Sequence, residues 1–215
     1  MDSQNEKLMP VLMRRITFGW LLLSFALGLF LRWMYVGQVP GVNYKYLLHT
    51  HSHLALSGWV FGGFFLLLVG AFVPDEKGRP FYHLFIWMQV SLVGMLVSFP
   101  FQGYGGYSIF FTTLFLFVTY AFCGFFFRVI RGNSSVSVKI LKNGLCFLIL
   151  SSLGPYGLAY CMTNELSGSS WYQNSIYFYL HFLYNGFFFW SLFALLVKTR
   201  ENQSRILPGS VDVSL

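Results

Sequence analysis

The sequence predicts an all-α fold, a polytopic membrane protein formed by a bundle of six transmembrane helices. Three observations predict it. Of the 215 residues, 56% are hydrophobic and only 10% are charged, with a mean hydropathy of +0.60, whereas a soluble domain carries about a quarter charged residues. Six apolar stretches each reach the roughly 20 residues that a helix needs to cross the hydrocarbon core, where backbone amides must be bonded within their own segment. Lys and Arg gather on alternate connectors, the pattern of a chain threaded through a bilayer.

The spans fall at about 16–36, 46–73, 81–101, 106–130, 137–162 and 171–198. Between them lie GQVPGVNYK, PDEKGRP, FQGYGGYS, RGNSSVSVK and TNELSGSS, rich in the residues that favour turns. Phenylalanine alone supplies 26 residues, which suits helix surfaces facing lipid rather than water. In the fifth span, Gly154-Pro155 predicts a kink, because proline lacks an amide hydrogen and crowds the preceding turn. Residues 1–200 read as one transmembrane domain in which the second half does not repeat the first, and 201–215 as a disordered cytoplasmic tail.

The net charge of +7 does not indicate a nucleic-acid partner, since no basic run of five or six residues occurs. Topology accounts for it. Lys7, Arg14 and Arg15, then Lys77 and Arg79, then Arg128, Arg131, Lys139 and Lys142, and finally Lys198, Arg200 and Arg205 fall on one side. Only Arg32 and Lys45 fall on the other, so the positive-inside rule predicts both termini in the cytoplasm. Cys123, Cys146 and Cys161 lie within apolar segments without CxxC spacing, and read as small buried packing residues. Residues 1–15 are polar and the first apolar stretch has spanning length without a small-residue cleavage site, so it is expected to be retained rather than removed as a signal peptide.

Asp2, Glu6, Asp75, Glu76, Glu165, Glu201 and Asp212 all lie outside the spans. Carboxylate-bridged di-iron chemistry and buried carboxylate proton relays are thereby excluded. The spans carry histidine instead. His49, His51 and His53 stand within five residues at the start of the second span, where an ionisable group is costly enough to imply a function. At about 100° per residue, His49 and His53 share one helix face and His51 points to nearly the opposite one. One helix can therefore serve two sites, or bind with one face and hydrogen-bond with the other.

Depth supplies a partner for this run. The second and sixth spans both start on the outer side, and a rise of about 1.5 Å per residue puts His53 and His181 at a similar depth, roughly 10 Å into the membrane. Two imidazoles at one depth suit an axially ligated haem, or a copper or zinc ion. Arg32, Gln102, Tyr104, Tyr107, Tyr156, Tyr160 and Asn185 are expected at the same outer level. Arg32 can pair with haem propionates or snorkel to the interface, and the tyrosines read first as an interfacial belt. His83 falls at the cytoplasmic end of the third span and reads as interfacial. Gly58, Gly62 and Gly63 permit close approach, of a neighbouring helix in the first instance or of a flat macrocycle.

These residues carry a resemblance. His51-Ser52-His53-Leu54-Ala55-Leu56-Ser57-Gly58-Trp59-Val60, with Gly70-Ala71-Phe72-Val73-Pro74 downstream, resembles the His-x-His helix of the haem-copper oxidase subunit I superfamily, above all its C-type members. The resemblance implies His51 as a high-spin haem ligand and His53 as a low-spin one. Phe99 to Tyr104 and Tyr179 to Gly186 are similar to two further segments of short bacterial proteins of this kind, which implies a bacterial cytoplasmic membrane. A full subunit I has about twice as many spans, an adjacent histidine pair and a third copper-binding histidine, none of which this chain has, so complete oxygen reduction is not expected of it.

The leading expectation is a b-type haem held by His53 and His181, with His49 or His51 binding a second cofactor or orienting the first, for electron transfer or small-gas chemistry. The alternative is a copper or zinc site formed by His49, His51, His53 and His181, with Met34 and Met162 near enough to assist reduced copper. A third reading is a non-catalytic assembly partner. The bilayer is the expected environment, with a homodimer or a respiratory complex as the expected assembly.

Overall fold

The structure is a computed structural model, and it describes residues 3–37 and 39–206, with side chains for 10–37 and 39–204. The described residues are helical without strands, and six helices are long and apolar enough to cross a membrane. The chain resolves into two compact units, Met1–Phe125 and Phe126–Leu215.

In the first unit, α1 (Ser3–Trp33) forms the first span. The second span is continuous but not uniform: α2 (Tyr44–His53) passes into a π-helical segment (Leu54–Phe61) and then into α3 (Gly62–Phe72). A single turn at Asp75–Lys77 leads into α4 (Arg79–Gln102), the third span, and α5 (Gly106–Val129) forms the fourth. In the second unit, α6 (Val136–Ser151) and α7 (Leu153–Thr163) make the fifth span. The sixth consists of α8 (Ser170–His181), a second π-helical segment (Phe182–Phe188) and α9 (Phe189–Ile206).

The expected spans and the observed ones agree within a few residues, except at the first and the last. The first helix starts well before residue 16, because a polar stretch containing Arg14 and Arg15 is helical without being apolar; Arg14 Nε donates to the Pro10 carbonyl at 3.2 Å. It stops at Trp33, and residues 34–36 form a turn. At the other end, α9 runs to Ile206, into the stretch expected as a tail, and residues 207–215 of that tail lie outside the described residues. Glu201 has a specific role there: its carboxylate accepts the Ser137 amide at 3.1 Å and the Ser137 hydroxyl at 2.6 Å, satisfying a donor at the start of α6.

The expected kink in the fifth span is an interruption at Ser152. Pro155 cannot donate to the turn before it, and the Ser151 and Ser152 hydroxyls bond back to the Leu148 and Ile149 carbonyls at 2.7 and 2.6 Å. Gly154 lets α8 pass within contact of the backbone, since a Cβ there would stand 2.6 Å from the Ser175 carbonyl.

The interior of the first unit is aromatic. Phe65 meets Phe81, Phe85 and Phe122 at ring separations of 5.0–6.3 Å, and Phe65, Phe81 and Phe122 are fully buried. Large apolar side chains such as Leu22, Phe25 and Phe101 are exposed on the outside, as lipid as solvent requires. Trp20 ties the first span to the third by donating its indole N–H to Gln89 Oε1 at 2.6 Å. Cys123 and Cys161 are buried as expected, whereas Cys146 is exposed; all three are free thiols.

Candidate functional site

The second span starts at Asn43, whose Oδ1 accepts the Tyr46 amide at 3.2 Å and fixes the helix register. From that register the three histidines divide between two faces. His49 and His53 both turn toward Phe99 and Tyr104: His53 stacks on Phe99 with ring centres 4.7 Å apart, His49 meets the Tyr104 ring edge-on at 4.7 Å, and His53 Nε2 lies 2.9 Å from the Tyr104 hydroxyl. Tyr104 reaches this position because Gly103 adopts φ +57°, a backbone state that side chains disfavour, and because a Cβ at Gly103 would press on Tyr46.

His51 faces the first span instead. Its Nδ1 lies 2.9 Å from the Ser24 carbonyl. A carbonyl only accepts, so Nδ1 carries the proton, and in the neutral ring Nε2 keeps its lone pair. That Nε2 makes no hydrogen bond among the described residues. Gly28 gives the ring its room, since a Cβ there would stand 3.2 Å from His51 Cε1. The Ser24 hydroxyl beside this anchor is buried and has no hydrogen-bond partner among the described residues. Metal-binding imidazoles commonly have one ring nitrogen anchored in this way by a backbone carbonyl and the other left open.

In the second unit, Ser169 caps α8 by accepting the Tyr172 amide, and the helix ends on His181. His181 is exposed, and its Nδ1 lies 3.3 Å from the Asn185 side-chain amide, one turn on. The amide nitrogen donates, so Nδ1 accepts and the neutral ring carries its proton on Nε2.

The two histidine spans share a local design. His53 and His181 are each the last α-helical residue before a π-helical segment, a rare form that is frequent at functional sites. Each is followed at four, five and six residues by a polar residue, a glycine and an aromatic: Ser57-Gly58-Trp59 and Asn185-Gly186-Phe187. Each glycine receives an aromatic of its neighbour, Trp20 at Gly58 and Phe147 at Gly186. This short correspondence lies inside a chain whose halves show no repeat at the level of whole spans.

No family model, curated protein or solved structure matches this chain. Its own geometry therefore carries the functional reading. Among the described residues, no group of three or more His, Cys, Asp or Glu side chains is gathered for a metal ion. His49 and His53 are brought together, His51 is turned away from them, and His181 belongs to the second unit. Arg32 closes the last turn of α1 with its side chain exposed, and His83 is exposed near the start of α4. Gly58 and Gly62 serve helix packing, against Trp20 and Thr17, while Gly63 has nothing within 4 Å of a would-be Cβ. Sequence reasoning missed Ser24 and Gly28, which are ordinary small residues in an apolar span, and gave Tyr104 an interfacial role.

Proposed function

We propose that this chain is a membrane haem-binding protein in which the His51 imidazole of the second span, in the first unit, takes haem iron; His181 of the sixth span, in the second unit, is a separate ligand candidate. The observation that carries this is the state of the His51 ring, with Nδ1 held by the Ser24 carbonyl and Nε2 open. The π-helical turns following His53 and His181 support it, as does the motif-level resemblance of His51 to Trp59 to the haem-copper oxidase helix. Such a haem supplies an iron that carries one electron or binds a small gas.

Around it, Ser24 fixes the tautomer of His51, Gly28 leaves the ring its space, and Asn185 orients His181. This reading transfers the ligand role in the second span from His53 to His51, because the His53 Nε2 is already engaged by Tyr104. It also retains the bacterial cytoplasmic membrane with both termini in the cytoplasm, and a homodimer or a respiratory complex as the assembly. The lipid bilayer is the environment that six apolar helices require.

Protein purified in mild detergent is expected to show a Soret band that sharpens on reduction, and His51→Ala or His181→Ala to remove or shift it. A band lost in His53→Ala but kept in His51→Ala would return the ligand role to His53. A colourless preparation holding stoichiometric copper or zinc would replace the haem reading with the metal one.

A further inference from the structure

We infer that the end of the first unit where α1 finishes and α2 begins holds the headgroup of one anionic phospholipid, bound by Arg32 and Lys45 together with the paired hydroxyls of Tyr35 and Tyr44. Charge is the first observation. Arg32 closes the last turn of α1 and Lys45 stands in the first turn of α2, both exposed and both without a hydrogen bond or ion pair among the described residues. Asp75 and Glu76, the described carboxylates of this unit, lie at the opposite end of the second span, in the turn that leads to the third. Two cations therefore share this end with no described acid of the unit beside them.

The connector between the two helices brings hydrogen-bond donors to the same place. The Tyr35 amide donates to the Arg32 carbonyl at 3.2 Å, which puts these residues one turn apart. Across the connector the Tyr44 hydroxyl donates to the Tyr35 hydroxyl at 3.0 Å, and the two rings meet edge-on with centres 5.3 Å apart. Arg32 is near enough for its charge to act on the Tyr44 phenol, and Lys45 follows Tyr44 directly. A phenol that accepts a hydrogen bond keeps its own O–H, so Tyr35 retains a donor for a further acceptor. A guanidinium and a phenol donor with a second cation close by match a phosphate, whose ionised oxygens accept and carry negative charge.

The neighbouring surface selects a lipid rather than a free phosphate. Leu29 and Phe25 precede Arg32 by three and seven residues on one stripe of α1, and they are 58% and 65% exposed. An acyl chain lying along that stripe keeps its phosphate at the helix end, where the long Arg32 side chain reaches headgroup level. Tyr35, also exposed, occupies the interfacial layer that amphipathic aromatic rings favour.

The test is native mass spectrometry of the delipidated full-length protein in mild detergent, titrated in turn with phosphatidylglycerol, phosphatidylcholine and inorganic phosphate. One phosphatidylglycerol is expected to bind at least about tenfold more tightly than phosphatidylcholine, whose choline offsets the phosphate charge. Arg32→Gln is expected to weaken phosphatidylglycerol binding by about tenfold and Lys45→Gln by about fivefold. Tyr35→Phe, which keeps the ring and removes the donor, is expected to cost about threefold. Lys77→Gln, at the opposite end of the second span, is expected to leave the affinity unchanged. Inorganic phosphate is expected not to displace the lipid, and displacement would make the occupant a free anion and overturn the lipid assignment. Equal affinity for the two lipids, or phosphatidylglycerol binding indifferent to both Arg32→Gln and Lys45→Gln, would overturn the site itself.

Discussion

At the scale of single residues, hydrogen-bond chemistry decides what each imidazole can do. His51 and His53 are two positions apart and equally apolar in sequence context, yet one offers an open Nε2 and the other has it engaged. Gly28 makes the first state possible, and Gly28→Val would drive side-chain atoms into a ring that the Ser24 carbonyl prevents from retreating. On the proposed haem reading, affinity is expected to fall by about tenfold or more, read as the Soret-to-protein absorbance ratio over a haem titration. Trp20 supplies a stability counterpart. Trp20→Phe removes the donor to Gln89 Oε1 within the bundle and is expected to cost about 1–2 kcal/mol, measured by unfolding in detergent. The histidine faces were legible beforehand, since helical geometry alone places His49 with His53 and against His51. The identities of their partners were not, because Ser24, Phe99 and Tyr104 lie on other segments, and which of them reaches α2 depends on how helices pack.

At the scale of elements, the π-helical segments distinguish the second and sixth spans from the other four. Both place a glycine under an aromatic of the adjoining span. Gly58→Ala would bring a Cβ to 2.9 Å from Trp20 Cγ, and Gly186→Ala to 2.6 Å from Phe147 Cβ. Each is expected to destabilise by about 1–3 kcal/mol through overpacking. Gly63→Ala, which meets nothing within 4 Å, is expected to be neutral or stabilising by up to about 1 kcal/mol. Thermal unfolding of the three variants side by side checks the contrast. The Glu201 cap on α6 is the other element-level device: Glu201→Ala leaves the Ser137 amide without this partner and is expected to cost about 1 kcal/mol. Glu201 lies beyond the hydrophobic run, so span prediction assigns it to a tail; the helix continues because its cap on α6 gives the polar extension something to hold.

At the scale of the whole molecule, charge asymmetry and apolar length set the architecture. Twelve of the fourteen Lys and Arg residues fall on one side of the predicted topology, and reporter fusions at each terminus are expected to report the cytoplasm. Labelling of either terminus from outside intact cells would invert every depth argument while leaving the six spans in place. All seven carboxylates lie outside the spans that the sequence predicts, and Glu201, on the extension of the sixth helix, is bonded to Ser137.

Six helices long and apolar enough to cross a membrane, the placing of all but the first and last to within a few residues, and histidines where carboxylates are lacking can all be read from the residue order. Those properties depend on apolar length and helical periodicity, which are local and additive along the chain. Packing between segments is what anchors His51 at Ser24 and brings Tyr104 to His53, and it is the fold that shows two spans changing helix type beside their histidines. Those facts depend on the approach of segments distant in sequence, through glycines whose missing side chains carry no periodic signal.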